Sequence, residues 1–590
     1  MASRWLKALK KWRKYIILLL TPILLSPIPL ALQDKRASCA YAIMIMAIYW
    51  TTESCSLAVT SLLPLLLFPI LGVVKAKEIS TPYFSDTNVL FVGGMMLAVA
   101  VEQWNLHKRI ALKILLLIGT QPRRLLLGFM CPTAFLSMWV SNTATTAMMV
   151  PIAQAVLGEI REIKKIDVAK SETDGKGEVI ANSEHVEMAV MDEKPSTTRS
   201  ISTVKLSSAP EDQAFRDLCK ATMLSIAYAA NVGGTATLTG TGTNLVFVGQ
   251  TEELFDESGG IGFGDWFIFA FPEAVILLLI SWLWLQWMFL GFNFRTIVNS
   301  FRSRTSSSYH SNEEQSSVKR VIQREYDALG PMTFAEKGVL AHFVILALLW
   351  AIRDPKFVSG WSILFKDGYV RDATASMAVA FSLFNFPAKR PKLFDDEEDD
   401  ETASTKDKPF PTLLEWKVVT KKFPWNIVLL LGAGFAMAKA AKVSCLSEWL
   451  GEQMASLESI PQFYIVLIIS LVLCAFTEVT SNVATASIFL PIVGSVAVNI
   501  KIHPWYLMVP ATLSCSFAYM LPVATPPNAI IFSSGYLKVF DMAKTGLAMN
   551  IIAITVMLAW THSVGAAWFD LSEFPAWAEA VDNNSTKCWV

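Results

Sequence analysis

Residues 141–146 read SNTATT and residues 481–486 read SNVATA. Each polar hexapeptide sits inside a long apolar stretch, where polar groups without partners are costly. A shift of 340 places residues 137–152, SMWVSNTATTAMMVPI, over residues 477–492, TEVTSNVATASIFLPI. Six of the sixteen positions are identical: Ser141/Ser481, Asn142/Asn482, Ala144/Ala484, Thr145/Thr485, Pro151/Pro491 and Ile152/Ile492. The same shift superposes Gly94 on Gly434, Ala98 on Ala438, Ala100 on Ala440 and Leu106 on Leu446. A second pair of motifs follows: TLTGTGTNL at 237–245 faces LPVATPPNAI at 521–530, with Thr241 over Thr525 and Asn244 over Asn528. Here the offset is 284, and a polar insertion at 158–218 accounts for the shortfall. The chain is therefore an internal repeat.

Working outward, 53% of the 590 residues are hydrophobic, only 17% are charged, and mean hydropathy is +0.43. Apolar blocks recur along the whole chain, as in a multi-span membrane protein. Lys+Arg and Asp+Glu balance at 50 each, which gives no electrostatic footprint for a nucleic-acid partner. The eight cysteines are scattered without a CxxC, and the six histidines are dispersed, so neither a metal site nor a disulfide framework is expected. Arg4, Lys7, Lys10, Lys11, Arg13 and Lys14 precede the first apolar block, YIILLLTPILLSPIPLAL, which has no small-residue cleavage site. The positive-inside rule puts the N-terminus in the cytoplasm.

The reading is an all-α polytopic membrane protein with about eleven transmembrane helices and two re-entrant hairpins in an inverted repeat. Blocks 109–157 and 460–498 are too long and too broken for plain spans. They are read as the hairpins, because irregular backbone at membrane depth must be covered by protein or water. Residues 1–14 are a cytoplasmic N-terminus, and 15–108 hold the first helices of repeat 1. Its hairpin and later helices fall in 109–292, interrupted by a cytoplasmic loop at 158–218. A basic, Ser-rich cytoplasmic loop occupies 293–335. Residues 336–440 start repeat 2 and carry an acidic loop at 389–424, which includes DDEEDDE at 395–401. Residues 441–569 close repeat 2, and 570–590 form an extracellular tail with overlapping glycosylation sequons at Asn583 and Asn584. An inside start and an outside end require an odd number of spans, in agreement with the count.

Two halves with broken apolar segments at matching positions point to a secondary transporter whose binding site lies where the halves meet. Ser141 and Asn142 offer side-chain oxygens, the Asn142 amide also offers N–H donors, and Thr143 can donate to a carboxylate. Helix N-termini beginning after each tip add free N–H groups and a positive dipole end. Gly240 and Gly242 let backbone approach an ion closely, and Thr241 adds a hydroxyl. Neither tip contains Arg or Lys, so an anionic substrate would depend on bound sodium for counter-charge, which couples the two reciprocally. A bare helix cap is the bland account of one Ser-Asn-Thr motif, but two motifs in register, each followed by a Thr…Asn loop, exceed it. Glu53, Glu102, Glu273, Lys439 and Glu478 are intramembrane charges that could line a pathway or pair structurally. A channel is the competing class. An enzyme has no support, since HExxH, GxSxG and paired-carboxylate motifs are lacking.

The motifs AYAIMIMAIYWTTE, EQWNLHKRIAL, FLSMWVSNTATTAMMVPIA, GGTATLTGTGTNL, PWNIVLLLGAGFAMAK, SNVATASIFLPI and LPVATPPNAIIFSSG resemble the sodium-coupled di- and tricarboxylate and sulfate transporters of solute carrier family 13, nearly end to end. The resemblance implies a plasma-membrane homodimer with scaffold and transport domains, an elevator-type movement, and several sodium ions as coupling ions rather than an enzyme cofactor. It implies one sodium site at Ser137, Ser141, Asn142 and Gly240, and another at Thr477, Thr480, Asn482 and Ala524. Substrate would meet Asn142, Thr143, Thr241, Gly242, Asn482, Thr525 and Pro526. Citrate and C4-dicarboxylates such as succinate, malate and fumarate are the implied cargo, with sulfate the alternative. Three positions depart from the pattern. Val483 lacks the hydroxyl of a Ser-Asn-Thr motif, and Thr243 stands where carboxylate members usually carry Pro. Gly242 is similar to the citrate transporter, where a missing methyl leaves room for a larger tricarboxylate.

Overall fold

The computed structural model describes residues 2–118, 122–174, 210–255, 258–291, 309–354, 360–366, 368–390, 411–453 and 459–579. The sequons at Asn583 and Asn584, the acidic run at 395–401 and most of the 158–218 insertion lie outside them. The described chain is helical, apart from one isolated bridge between Pro387 and Thr412.

The opening helices are α1 (Ala2–Leu25), α2 (Pro27–Leu32), α3 (Lys35–Thr52), α4 (Leu57–Thr60), α5 (Leu63–Ile70) and α6 (Ala76–Ser80). Then come α7 (Asp86–Gln103), α8 (Leu106–Ile118), α9 (Pro122–Ser137), α10 (Asn142–Asp174), α11 (Pro210–Thr235), α12 (Gly242–Leu254) and α13 (Phe263–Leu285). The second half has α14 (Tyr309–Asp327), α15 (Phe334–Ala351), α16 (Asp372–Asn385), α17 (Trp416–Lys422), α18 (Trp425–Val443) and α19 (Leu446–Gln453). It ends with α20 (Gln462–Thr477), α21 (Asn482–Asn499), α22 (Pro504–Ser514), α23 (Pro526–Ser533) and α24 (Val539–Trp560). Among the described residues, seven helical stretches are long and apolar enough to cross a membrane by length and composition: Trp12–Leu32, Ala76–Gln103, Phe263–Leu290, Phe334–Ala351, Trp425–Val443, Asn482–Asn499 and Val539–Trp568. The protein is a polytopic all-α membrane protein.

The repeat is visible in the backbone. Asn105 and Cys445, one repeat apart, both adopt left-handed φ, at 54° and 59°, and break α7 from α8 and α18 from α19. Asn88 Nδ2 donates to the Val428 carbonyl at 3.4 Å, joining positions that the 340 shift superposes. Helices α13 and α24 each run into a π turn, Gln286–Leu290 and Thr561–Gly565. Helices α9 and α10 form a helical hairpin, and α20 and α21 form its counterpart. Packing is crosswise: α10 lies on α23, and α21 lies on α12, so each hairpin meets the broken helix of the other half.

Several stretches differ from the sequence expectation: residues 158–174 continue α10, 210–218 open α11 and 416–422 form α17, all inside segments expected as loops. Residues 309–327, expected as loop, form α14, which buries Val318 and Ile322 and packs on α8 and α10. Arg109 fixes the following turn: its guanidinium donates to both Glu336 carboxylate oxygens, at 3.0 and 3.2 Å, and to the Leu329 and Gly330 carbonyls. Lys319, Arg320, Gln323 and Arg324 are exposed around the buried Val318 and Ile322, as on an amphipathic helix. Cys445 is disulfide-bonded, contrary to the expectation of no disulfide, while Cys39, Cys55, Cys131, Cys474 and Cys515 keep free thiols. Scattered spacing does not reveal such a bond.

Candidate functional site

Each hairpin tip is a four-residue turn between a helix end and a helix start. Ser137 ends α9 and is fully buried, and its hydroxyl lies 2.5 Å from Asn142 Oδ1 and 2.7 Å from the Ala230 carbonyl of α11. Thr477 ends α20 and is fully buried, and its hydroxyl lies 2.7 Å from Asn482 Oδ1 and 2.8 Å from the Cys515 carbonyl. The two sets are one pattern used twice: a hydroxyl at the end of the first arm, an amide oxygen at the start of the second, and a carbonyl from the broken helix of the same half. A hydroxyl has one proton to donate. Each hydroxyl can donate to only one of its two oxygen neighbours, so the three oxygens together are rich in acceptors, a set that could hold a hard monovalent cation.

The other expected ligands are placed as follows. Ser141 Oγ accepts from Ala144 N at 3.3 Å, so it caps α10. The Asn142 side chain turns back to Ser137 instead of capping, which the simple helix-cap account does not predict. Gly240 is buried behind Gly234, whose carbonyl would stand 2.5 Å from a Cβ at 240. Thr480 pairs with Thr485 at 2.6 Å and donates to the Phe476 carbonyl, so its hydroxyl braces the second tip. Ala524 is buried and closes a turn onto the Leu521 carbonyl.

On the open side of the tips, Thr143 and Pro526 are exposed, and Asn142, Thr241, Gly242, Asn482 and Val483 are half-buried. Thr525 is buried and caps α23 by accepting from Asn528 N. Thr241 occupies the same position on α12 with no side-chain cap, and its hydroxyl accepts from Thr243 Oγ1 at 3.5 Å. Thr243, the departure from Pro, pairs with Ser516 across the halves at 2.7 Å. None of these residues is basic.

The unwound stretches are held by residues that the repeat flagged without a role. Asn244 Nδ2 donates to the Thr235 and Thr237 carbonyls, at 3.2 and 2.8 Å. Asn528 Nδ2 donates to the Ala518 and Leu521 carbonyls, both at 3.0 Å. These amides staple backbone that has left helical geometry and would otherwise be unsatisfied. Asn231 Nδ2 also donates to the Ala518 carbonyl, at 3.3 Å, and so ties the residue after Ala230 to the stretch that supplies the Cys515 carbonyl. Two further contributors were missed. Thr237 donates to the Met138 carbonyl at 2.5 Å, and Gly234 leaves space for the Asn142 amide, which a Cβ would meet at 2.7 Å. The GGTAT run was the signal for the second.

The intramembrane charges separate. Glu478 is buried and accepts from the Tyr519, Met520 and Leu521 backbone N–H groups and from Asn550 Nδ2, at 2.7–3.1 Å. It anchors the second unwound stretch beside Thr477. Glu102 pairs with Lys422 at 3.0 Å, and Lys439 lies 3.8 Å from Glu253. Glu53 is exposed at the end of α3. Glu273 is buried in α13, and its Oε2 has no hydrogen-bond partner.

Sequence comparison then places this polytopic helical membrane protein, with its two matched oxygen triads, in a family. Residues 8–571 match the family described as the sodium:sulfate symporter transmembrane region. The chain belongs to this family. It is 43% identical over 602 residues to the human Na(+)/dicarboxylate cotransporter 3, covering 99% of this chain and 98% of that one. It is 45% identical over 584 residues to the rat Na(+)/citrate cotransporter, covering 98% of each. It is 47% identical over 596 residues to rabbit solute carrier family 13 member 2, covering 100% of this chain and 98% of the relative. This sodium:sulfate symporter family member thus matches carboxylate-named relatives from end to end.

Proposed function

We propose that the protein is a sodium-coupled symporter that imports citrate and C4-dicarboxylates across the plasma membrane. The observation that carries this reading is the pair of triads, Ser137/Asn142/Ala230 and Thr477/Asn482/Cys515, each a sodium site on one side of a shared anion. The anion sits between the tips, against Asn142, Thr143, Thr241, Gly242, Asn482, Thr525 and Pro526. Neutral residues alone do not balance two or three carboxylates, so substrate binds after sodium has supplied positive charge. The ions act as co-substrates, and no enzyme activity or cofactor is involved.

The hairpins, with α11–α13 and α22–α24, form the moving unit of an elevator, and the remaining spans form a scaffold that pairs with a second copy as a homodimer. Two signals support the orientation. The basic flank before α1 marks the cytoplasm. Disulfide-bonded Cys445 marks an oxidising compartment, and the α19 it precedes lines one cleft with Asp34 and Arg36 at the start of α3. Helix α1 therefore runs outward, and about eleven spans bring the C-terminus, with Asn583 and Asn584, to the extracellular side.

Uptake of labelled citrate and succinate, with sodium replaced by choline, tests the proposal. Saturable uptake that disappears in choline is expected. Sodium-independent uptake would refute the coupling, and sulfate uptake without carboxylate uptake would reassign the cargo.

A further inference from the structure

A cleft of about 580 Å³ opens between α3, α18–α19 and the second arm of the second hairpin, α21. Its walls include Ile43 and Met44 of α3, Met437 of α18, Leu450 of α19, and Ile488 and Ile492 of α21. Polar character is concentrated at one end, where Arg36 pairs with Asp34 at 3.0 Å and both side chains are about one-third exposed. Ser447 and Ser487 are the other polar side chains along the walls. Water in such a space lacks the two to four polar partners it needs.

We propose that this cleft holds one acyl chain of an outer-leaflet bilayer phospholipid, its headgroup beside the Asp34–Arg36 pair. The reading rests on the membrane-spanning fold. The cleft follows α3 from Ala37 to Ala47, which at 1.5 Å per residue is about 15 Å. That length is half of a hydrocarbon core of about 30 Å, the depth of one leaflet. The rim is continuous with surface already turned to hydrocarbon: Leu30 and Leu32 on α2 are 70% and 66% exposed. Trp449 stands at the edge of the cleft with its ring partly exposed, the placement favoured at a membrane interface. The acyl chain lies between α3 and α21, whose first residue is Asn482. A lipid in the cleft therefore packs against the same helix that carries the second sodium triad, and its occupancy sets where that hairpin arm can rest.

The full-length protein, reconstituted in phosphatidylcholine bilayers with a diazirine on the acyl chain, provides the test. Photolabelling followed by peptide mass spectrometry is expected to mark α3 near Met44 and α21 near Ile488. Ala40→Phe, which fills the cleft, should lower both labels about fivefold or more by mass action while leaving the label on exposed Leu24 unchanged. Ala441→Phe, from the opposite wall, should do the same and guards against a misfolded first variant. Labelling confined to Leu24 and the outer surface would overturn the proposal. Crosslinks to a peptide from a second copy would also overturn it and make the cleft a contact between subunits.

Discussion

Val483 fills the space that a side chain at Gly242 would need: a Cβ at 242 would stand 2.6 Å from Val483 Cγ2. Two of the three positions that depart from the family pattern thus touch across the halves, Gly242 opening α12 and Val483 in the first turn of α21. The missing methyl at 242 is the seat of the opposite hairpin tip, so the expectation that it simply enlarges the anion pocket needs restating as a property of the pair. Gly242→Ala should raise the apparent KM for both citrate and succinate by displacing the tip. Val483→Ala should restore the space, and the double variant should recover most of the loss. Residues in direct contact commonly couple by about 0.5–3 kcal/mol. Strictly additive effects in uptake assays would show that the contact does not bear on substrate.

The triads predict sodium phenotypes that depend on the hydroxyl. Thr477→Ser keeps the oxygen and should leave the half-saturating sodium concentration nearly unchanged. Thr477→Val and Ser137→Ala remove it and should raise that concentration roughly tenfold, the effect of about 1.4 kcal/mol. Maximal uptake at saturating sodium should suffer less. Equal phenotypes for Thr477→Ser and Thr477→Val would mean that the hydroxyl is not a ligand.

Glu478 should prove structural as well as functional. Its carboxylate satisfies three consecutive backbone donors and the Asn550 amide. Glu478→Ala orphans four donors, two of them, Tyr519 N and Asn550 Nδ2, buried at roughly 1–3 kcal/mol each, and should lower the melting temperature and abolish uptake. Glu478→Gln keeps the shape and part of the acceptor capacity, so it should be intermediate in both assays. Wild-type stability in Glu478→Ala would sink this account.

The repeat was legible because the two halves carry the same residue types at their hairpin tips. The 340 offset located both tips and both of their Asn side chains, and the 284 offset, through Thr241/Thr525, located both helix starts. The third oxygen of each triad was not legible, because it is a backbone carbonyl, at Ala230 and Cys515, and carbonyls carry no sequence identity. Glu478 was noticed as a charge, but its role depends on Tyr519–Leu521 leaving helical geometry beside it. Its repeat equivalent is Met138, so the offset gave no help. The helix at 309–327 was hidden because Val318, Val321, Ile322 and Tyr326 are too few apolar residues in a polar run to show a helical period.

His503 gives the protein a pH-sensitive corner outside the membrane-spanning segments. It caps α22 by accepting from Trp505 N through Nδ1, a bond that needs a neutral ring, and it packs against Trp505 and Trp577. Burial is the main cause that pushes its pKa down from 6.5 to about 4, with Asp570 opposing. Between those values the unfolded chain binds the proton and the folded one does not, so stability is complete above about pH 6.5 and is lost as pH falls toward 4. The full shift is worth at most about 3 kcal/mol. The melting temperature of the solubilised protein should fall through this window. In His503→Asn, which keeps a capping oxygen without a titrating ring, the slope should flatten. An unchanged slope in that variant would assign the acid sensitivity to other groups.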